Sequence, residues 1–243
     1  MTYRTQDSVD RRTGIIVGIL FIIATFFLFL GEPFYKPFLN APDALTVVAQ
    51  NKPRIVLGLG IELICILAMP LIGSFIFPVL RRVSTGMALA YFFFRSLEGI
   101  ILLTVALTNK FAILSLSEAF LAGSDPAASD AALAIIRAQN IWADTAGPLY
   151  NVIFMCGALC LYTLLFRARM VPRWISVWGL ASVLVLGGAS VSAIFVRLPI
   201  VWEVVLIAPL AVQEMVMALW FIFRGFDLSI SAGAHAGTAN GGP

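Results

Sequence analysis

Glu62, Arg95, Glu98 and Glu214 each lie inside a long apolar run of the sequence. Carboxylates so placed can exchange protons or hold a cation, and a guanidinium can hold a carboxylate. Charge at that depth is a functional hypothesis by default. The densest stretch is YFFFRSLEG, residues 91–99. Arg95 and Glu98 are three residues apart and share a helix face, with Tyr91 one turn earlier on it. Asn151, Gln213 and Glu214 add polar atoms on other apolar runs. The candidate site is therefore Glu62, Tyr91, Arg95, Glu98, Asn151, Gln213 and Glu214. Three glutamates and one arginine cannot all be ionised at low dielectric without a further cation, which points to a proton- or cation-linked site. The plainer alternative is that Arg95 ties helices together through Glu98 and Glu214 and binds nothing.

The elements that carry these residues are membrane helices. Of 243 residues, 60% are hydrophobic and only 12% charged, about half the charge of a soluble domain. Long apolar runs without strand alternation predict an all-α, polytopic transmembrane bundle rather than a barrel. Six helices are predicted, at about 13–30, 55–77, 87–107, 146–166, 174–196 and 201–223. The first apolar run is too long for a signal peptide and no A-x-A-like site follows it, so it reads as a retained helix. Residues 1–12 read as an N-terminal tail, 13–226 as one transmembrane domain, and 227–243 as a disordered tail of low complexity.

Residues 31–53, with Pro33, Pro37, Pro42 and Pro53, read as a loop with a short helix at 42–51. Residues 108–144 read as a second loop, with an amphipathic lead-in over 131–144. Gly14 and Gly18 are spaced to seat a neighbouring helix, although such pairs are common. Nine Lys and Arg on the N-terminal side against six opposite put both termini in the cytoplasm of a bacterial inner membrane, and both loops outside.

Depth follows from the rise per residue. Glu62 and Glu98 fall about 10 and 14 Å below the outer face, and Arg95 and Glu214 about 12 and 10 Å from the inner one. This predicts Arg95 paired with Glu214, Glu62 paired with Glu98, and the second, third and sixth helices as mutual neighbours. The third helix is near break-even for insertion alone. Its apolar side chains favour insertion by roughly 3–7 kcal/mol and its two charges oppose it by roughly 5–7 kcal/mol. Partners from other helices are therefore expected.

Several functions are excluded by what is missing. Cys65, Cys156 and Cys160 lie in apolar runs and read as small buried hydrophobes rather than a disulfide framework. The one histidine, His235, is in the C-terminal tail, and Lys36, Lys52 and Lys110 lie at or beyond predicted helix ends. Haem ligation, a His-ligated zinc hydrolase and a retinal Schiff base therefore find no residues. No phosphate loop, nucleophile elbow or Ser/His/Asp set is present. Glu62 with Cys65 and Met69 gives too few strong ligands for a metal. No catalytic residue, cofactor or metal is assigned, and no basic, aromatic-interleaved surface suits nucleic acid.

Five segments carry a resemblance: Glu62 in its helix, FPVLRR at 77–82, ALAYFFFRSLEG at 88–99, MVPRWISVWGL at 170–180 and PLAVQEMVMALWFIFRGF at 209–226. Their order resembles a bacterial family of multi-pass membrane proteins defined by a domain of unknown function. The resemblance implies a helical membrane fold and no particular activity. Taken together, the residues read as an integral membrane protein in the lipid bilayer with a buried Glu/Arg site, a small proton- or cation-linked transporter. The alternative is a non-catalytic membrane sensor, scaffold, or lipid- or partner-binding protein. An intramembrane enzyme is the weakest reading, because no nucleophile accompanies the acids.

Overall fold

The computed structural model describes residues 2–145, 147–196 and 200–226, and among these residues it is helical with no strand. The elements are α1 (Thr2–Leu39), α2 (Ala44–Gln50), α3 (Lys52–Leu80), α4 (Thr85–Ile101), a π-helical segment (Leu102–Leu107), α5 (Thr108–Leu121), α6 (Pro126–Ala143), α7 (Pro148–Ala168), α8 (Arg173–Phe195) and α9 (Ile200–Phe223). Among the described residues, six spans are long and apolar enough to cross a membrane: Asp10–Leu39, Lys52–Leu80, Thr85–Leu121, Pro126–Ala168, Arg173–Phe195 and Val205–Phe223. They close into a ring through the contacts α1 to α3, α3 to α4, α4 to α7, α7 to α8, α8 to α9 and α9 back to α1. The expected mutual contact of α3, α4 and α9 is therefore corrected. The first two are neighbours, but α1 stands between α3 and α9. Residues 197–199, between the fifth and sixth predicted helices, and the tail over 227–243 lie outside the described residues.

Several helices are longer than their apolar cores. The span Thr85–Leu121 has 37 residues, about 55 Å of helix against a hydrocarbon core of about 30 Å. The excess gathers at one end, where the last turns of α1, then α2, the first turns of α3, and α5 and α6 form a cap. The cap has its own apolar core, including Leu39, Leu45, Val48, Ile55, Leu59, Ile113 and Leu133. Residues 31–39 are thus helix rather than loop, with Pro33 and Pro37 inside α1. Proline is tolerated there because close packing over-determines the backbone. A Cβ on Gly58 would lie 2.6 Å from the Cβ of Phe34. Residues 108–121 are likewise helix, while the expected short helix near 42–51 is α2.

The opposite end is tied by charge. Residues read as a polar tail are the first turns of α1. Arg11 donates to the carbonyls of Ile222 at 2.5 Å and Phe223 at 3.0 Å, covering the open C-terminal carbonyls of α9. Arg82 donates through both terminal nitrogens to Asp10, at 2.7 and 2.8 Å, fixing the α3–α4 turn. Above this, Gly14 and Gly18 seat α9. A Cβ on Gly18 would meet the Ala218 carbonyl at 2.6 Å and Ile222 at 2.7 Å. Gly18→Leu should therefore push α9 off α1 and cost about 1–3 kcal/mol or more. Gly60→Ala should be neutral, because nothing lies within 4 Å of its Cβ position. Thermal unfolding in detergent compares the two, and equal midpoints would contradict the packing.

Candidate functional site: two buried charge clusters

The first cluster centres on α4. Ser84 caps this helix, its side chain accepting from the Met87 amide. Arg95 then faces the ring interior with 5% of its surface exposed, and Glu98 with 1%. The Arg95 Nη1 donates to Glu98 Oε2 at 2.7 Å, an i,i+3 bridge within one helix. The Phe21 ring of α1 lies 5.7 Å from the guanidinium, and Arg95 Nε has no hydrogen-bond partner among the described residues. The expected pairing of Arg95 with Glu214 of α9 is corrected. Among the described residues its only carboxylate within 4.0 Å is Glu98. A side chain three residues along the same helix costs less ordering entropy than one on another helix.

Glu214 instead accepts from the Thr25 hydroxyl of α1 at 3.1 Å. Thr25, Arg95, Tyr150, Asn151 and Glu214 line one cavity of about 90 Å³. Tyr91 is buried one turn before Arg95 on the same helix. Gln213 belongs elsewhere. It accepts from the Tyr162 hydroxyl at 2.6 Å and donates to the Ile175 carbonyl at 3.0 Å, clamping α9 to α7 and α8.

Glu62 is the second correction. It pairs with Lys110 rather than sitting beside Glu98. Lys110 Nζ donates to Glu62 Oε1 at 2.7 Å, to Asp144 Oδ1 at 3.2 Å and to the Tyr35 hydroxyl at 3.4 Å. It also lies 4.8 Å from the Tyr35 ring centre. Lys110 and Glu62 are 2% and 1% exposed, so Lys110 is no helix-end lysine. Asp144 is only partly buried and borders a cavity of about 430 Å³ on the cap side, with Glu32, Lys36, Arg137 and Asn140. Arg137 is tied down there by donating to the Leu39 and Ala41 carbonyls at 2.7 and 2.9 Å.

The π-segment explains how one helix serves both clusters. Glu98 and Lys110 are twelve residues apart. At about 100° per residue, an unbroken α-helix would leave them about 120° apart. A π-turn absorbs one extra residue and removes about 100° of that difference. Leu102–Leu107 is that turn. The Thr108 hydroxyl donates to the Leu103 carbonyl five residues back at 2.8 Å, occupying an acceptor that the widened turn loosens. Both charges thereby face the ring interior.

Chemically, each cluster contains one base and two acids. Arg95 stands with Glu98 and Glu214, and Lys110 with Glu62 and Asp144. Lys110 is the further cation that the glutamates required, yet Asp144 restores the acid excess. Lys110, Asp144, Tyr35 and Thr25 are the members that sequence reasoning missed. The signal for Lys110 was present: Phe111, Ile113 and Leu114 continue an apolar helical pattern past it.

A ring of six apolar spans around buried ion pairs defines a multi-pass integral membrane protein. The chain belongs to the family DUF4386, a domain of unknown function, whose model matches residues 16–225. No curated protein and no solved structure matches it.

Proposed function

We propose that this protein is a small proton- or cation-linked transporter with both termini in the cytoplasm and the helical cap outside. One observation carries the reading. Glu214 is a buried carboxylate on a partly open cavity, with no base within 4.0 Å among the described residues and a hydrogen bond accepted from the Thr25 hydroxyl. A buried carboxylate is costly to keep ionised, so it suits uptake and release of a proton or cation. The second cluster lies between this cavity and the cap, and Thr145 borders both cavities. That supports an approach from the cap side. Below Glu214, Val17, Phe21, Ile72, Leu165, Met217 and Phe221 form an apolar barrier toward the other end.

In proteoliposomes with an imposed pH gradient and an internal pH dye, the protein should dissipate the gradient faster than empty vesicles. Glu214→Gln should abolish the difference, while Gly60→Ala keeps it. Undiminished flux in Glu214→Gln ends the proposal. The orientation has its own check: a C-terminal green fluorescent protein should fluoresce and a C-terminal alkaline phosphatase should be inactive. The opposite pattern reverses the topology.

A further inference from the structure

We infer that the cargo of this cavity is an amphipathic organic cation with a compact ammonium head, an inference that rests on the transporter reading. Arg95, Glu98 and Glu214 sum to one negative charge when all are ionised, so the ligand that neutralises the site is a monovalent cation. An anion is disfavoured. Arg95 already holds Glu98 at 2.7 Å, and an added anion would face two carboxylates. A bare metal ion is poorly served, since the described residues contain no cluster of three or more His, Cys, Asp or Glu able to hold one.

The walls favour carbon around the charge. Phe29, Tyr150 and Phe154 line the cavity beside Glu214, and aromatic faces attract ammonium groups. The rest of the ligand has room. Asn151, Leu186 and Ile207 also line a second, mainly apolar cavity of about 490 Å³ between α6, α7, α8 and α9. The head thus meets Glu214 while an apolar body lies against Leu186 and Ile207. A proton competes for the same carboxylate, so release of the cation is coupled to protonation. The titratable or charged groups around Glu214 are Arg95, Glu98 and Tyr91 on α4, Tyr150 and Tyr162 on α7, and Cys65 on α3.

Calorimetry with benzyltrimethylammonium on the full chain in nanodiscs tests this. Saturable binding should weaken at least about tenfold in Glu214→Gln and survive in Glu214→Asp. It should also weaken in the unaltered protein as the buffer moves from about pH 8 to about pH 5, by competition with protons. Benzylsulfonate should not bind. If Glu214→Gln does not fold, the pH series decides. Affinity independent of pH, equal binding of benzylsulfonate, or no binding at all overturns the inference. Gradient dissipation without cation binding overturns this inference alone, whereas binding without flux overturns the transporter reading alone.

Discussion

Glu98→Gln should lower the unfolding temperature in detergent further than Arg95→Leu does. The two side chains form one bridge, 2.7 Å long and almost wholly buried, so a naive count makes the variants equal. They differ in what is left behind. A guanidinium stays protonated under all ordinary conditions. Without Glu98 it is a full charge in low dielectric, with Nε already unpartnered and no other carboxylate within 4.0 Å among the described residues. Breaking a buried pair in this way costs about 3–5 kcal/mol. Without Arg95, by contrast, Glu98 and Glu214 can each take up a proton and become neutral. Glu214→Gln should cost far less than Glu98→Gln, because Glu214 contributes one bond from Thr25 and a glutamine oxygen can keep it. Arg95→Leu unfolding before Glu98→Gln would reject this account of the cluster.

Inserting one alanine between Leu107 and Thr108 should abolish folding, whereas deleting Thr104 should be tolerated. The Thr104 side chain is exposed, and it donates only to the Ile100 carbonyl of its own helix, so its loss alone is worth within about 0.5 kcal/mol. Its deletion removes the one extra residue that the π-turn absorbs, so the segment can close as ordinary α-helix. Lys110 then stands about 20° around the axis from Glu98 and still faces Glu62. An added alanine instead rotates everything after it by about 100°. Lys110 would leave Glu62, two acids would lose their base, and Ile113, Leu114 and Ser117 would turn away from the cap core. Losing the buried Lys110–Glu62 contact alone costs about 3–5 kcal/mol. Fluorescence-detected size exclusion reads the outcome. A monodisperse insertion variant, or an aggregated deletion variant, would mean that the register is not what holds Lys110.

The membrane bundle was legible in the sequence because apolar runs of bilayer length leave few alternatives. The burial of Arg95, Glu98 and Glu214 was legible too, since each lies inside an apolar run of bilayer length. Pairing was not. Depth along a helix follows from counting residues, but azimuth around the ring does not, and Glu62 and Arg95 were paired by depth alone. Lys110 was lost for a second reason. A π-turn has no sharp sequence signature, so a count of bilayer length ends the helix at about residue 107 and leaves the lysine beyond it. Pro33 and Pro37 misled in the same direction, because soluble-helix rules stop a helix that tight packing against α3 carries through.

The bridge between Arg95 and Glu98 also bears on the order of events during synthesis. Its partners leave the ribosome three residues apart, so their charges can cancel before any neighbouring helix is present. The segment that counted as near break-even with two separate charges therefore enters the bilayer closer to neutral, carrying its own counter-ion. The Lys110 cluster is different. Glu62 is made before the lysine and Asp144 after it, on three separate segments of the chain. The Arg95–Glu98 bridge can form when α4 emerges, whereas the Lys110 cluster waits until residue 144 has been made. Chains truncated after residue 125 should therefore keep α4 in the membrane while α5 has yet to acquire its last partner.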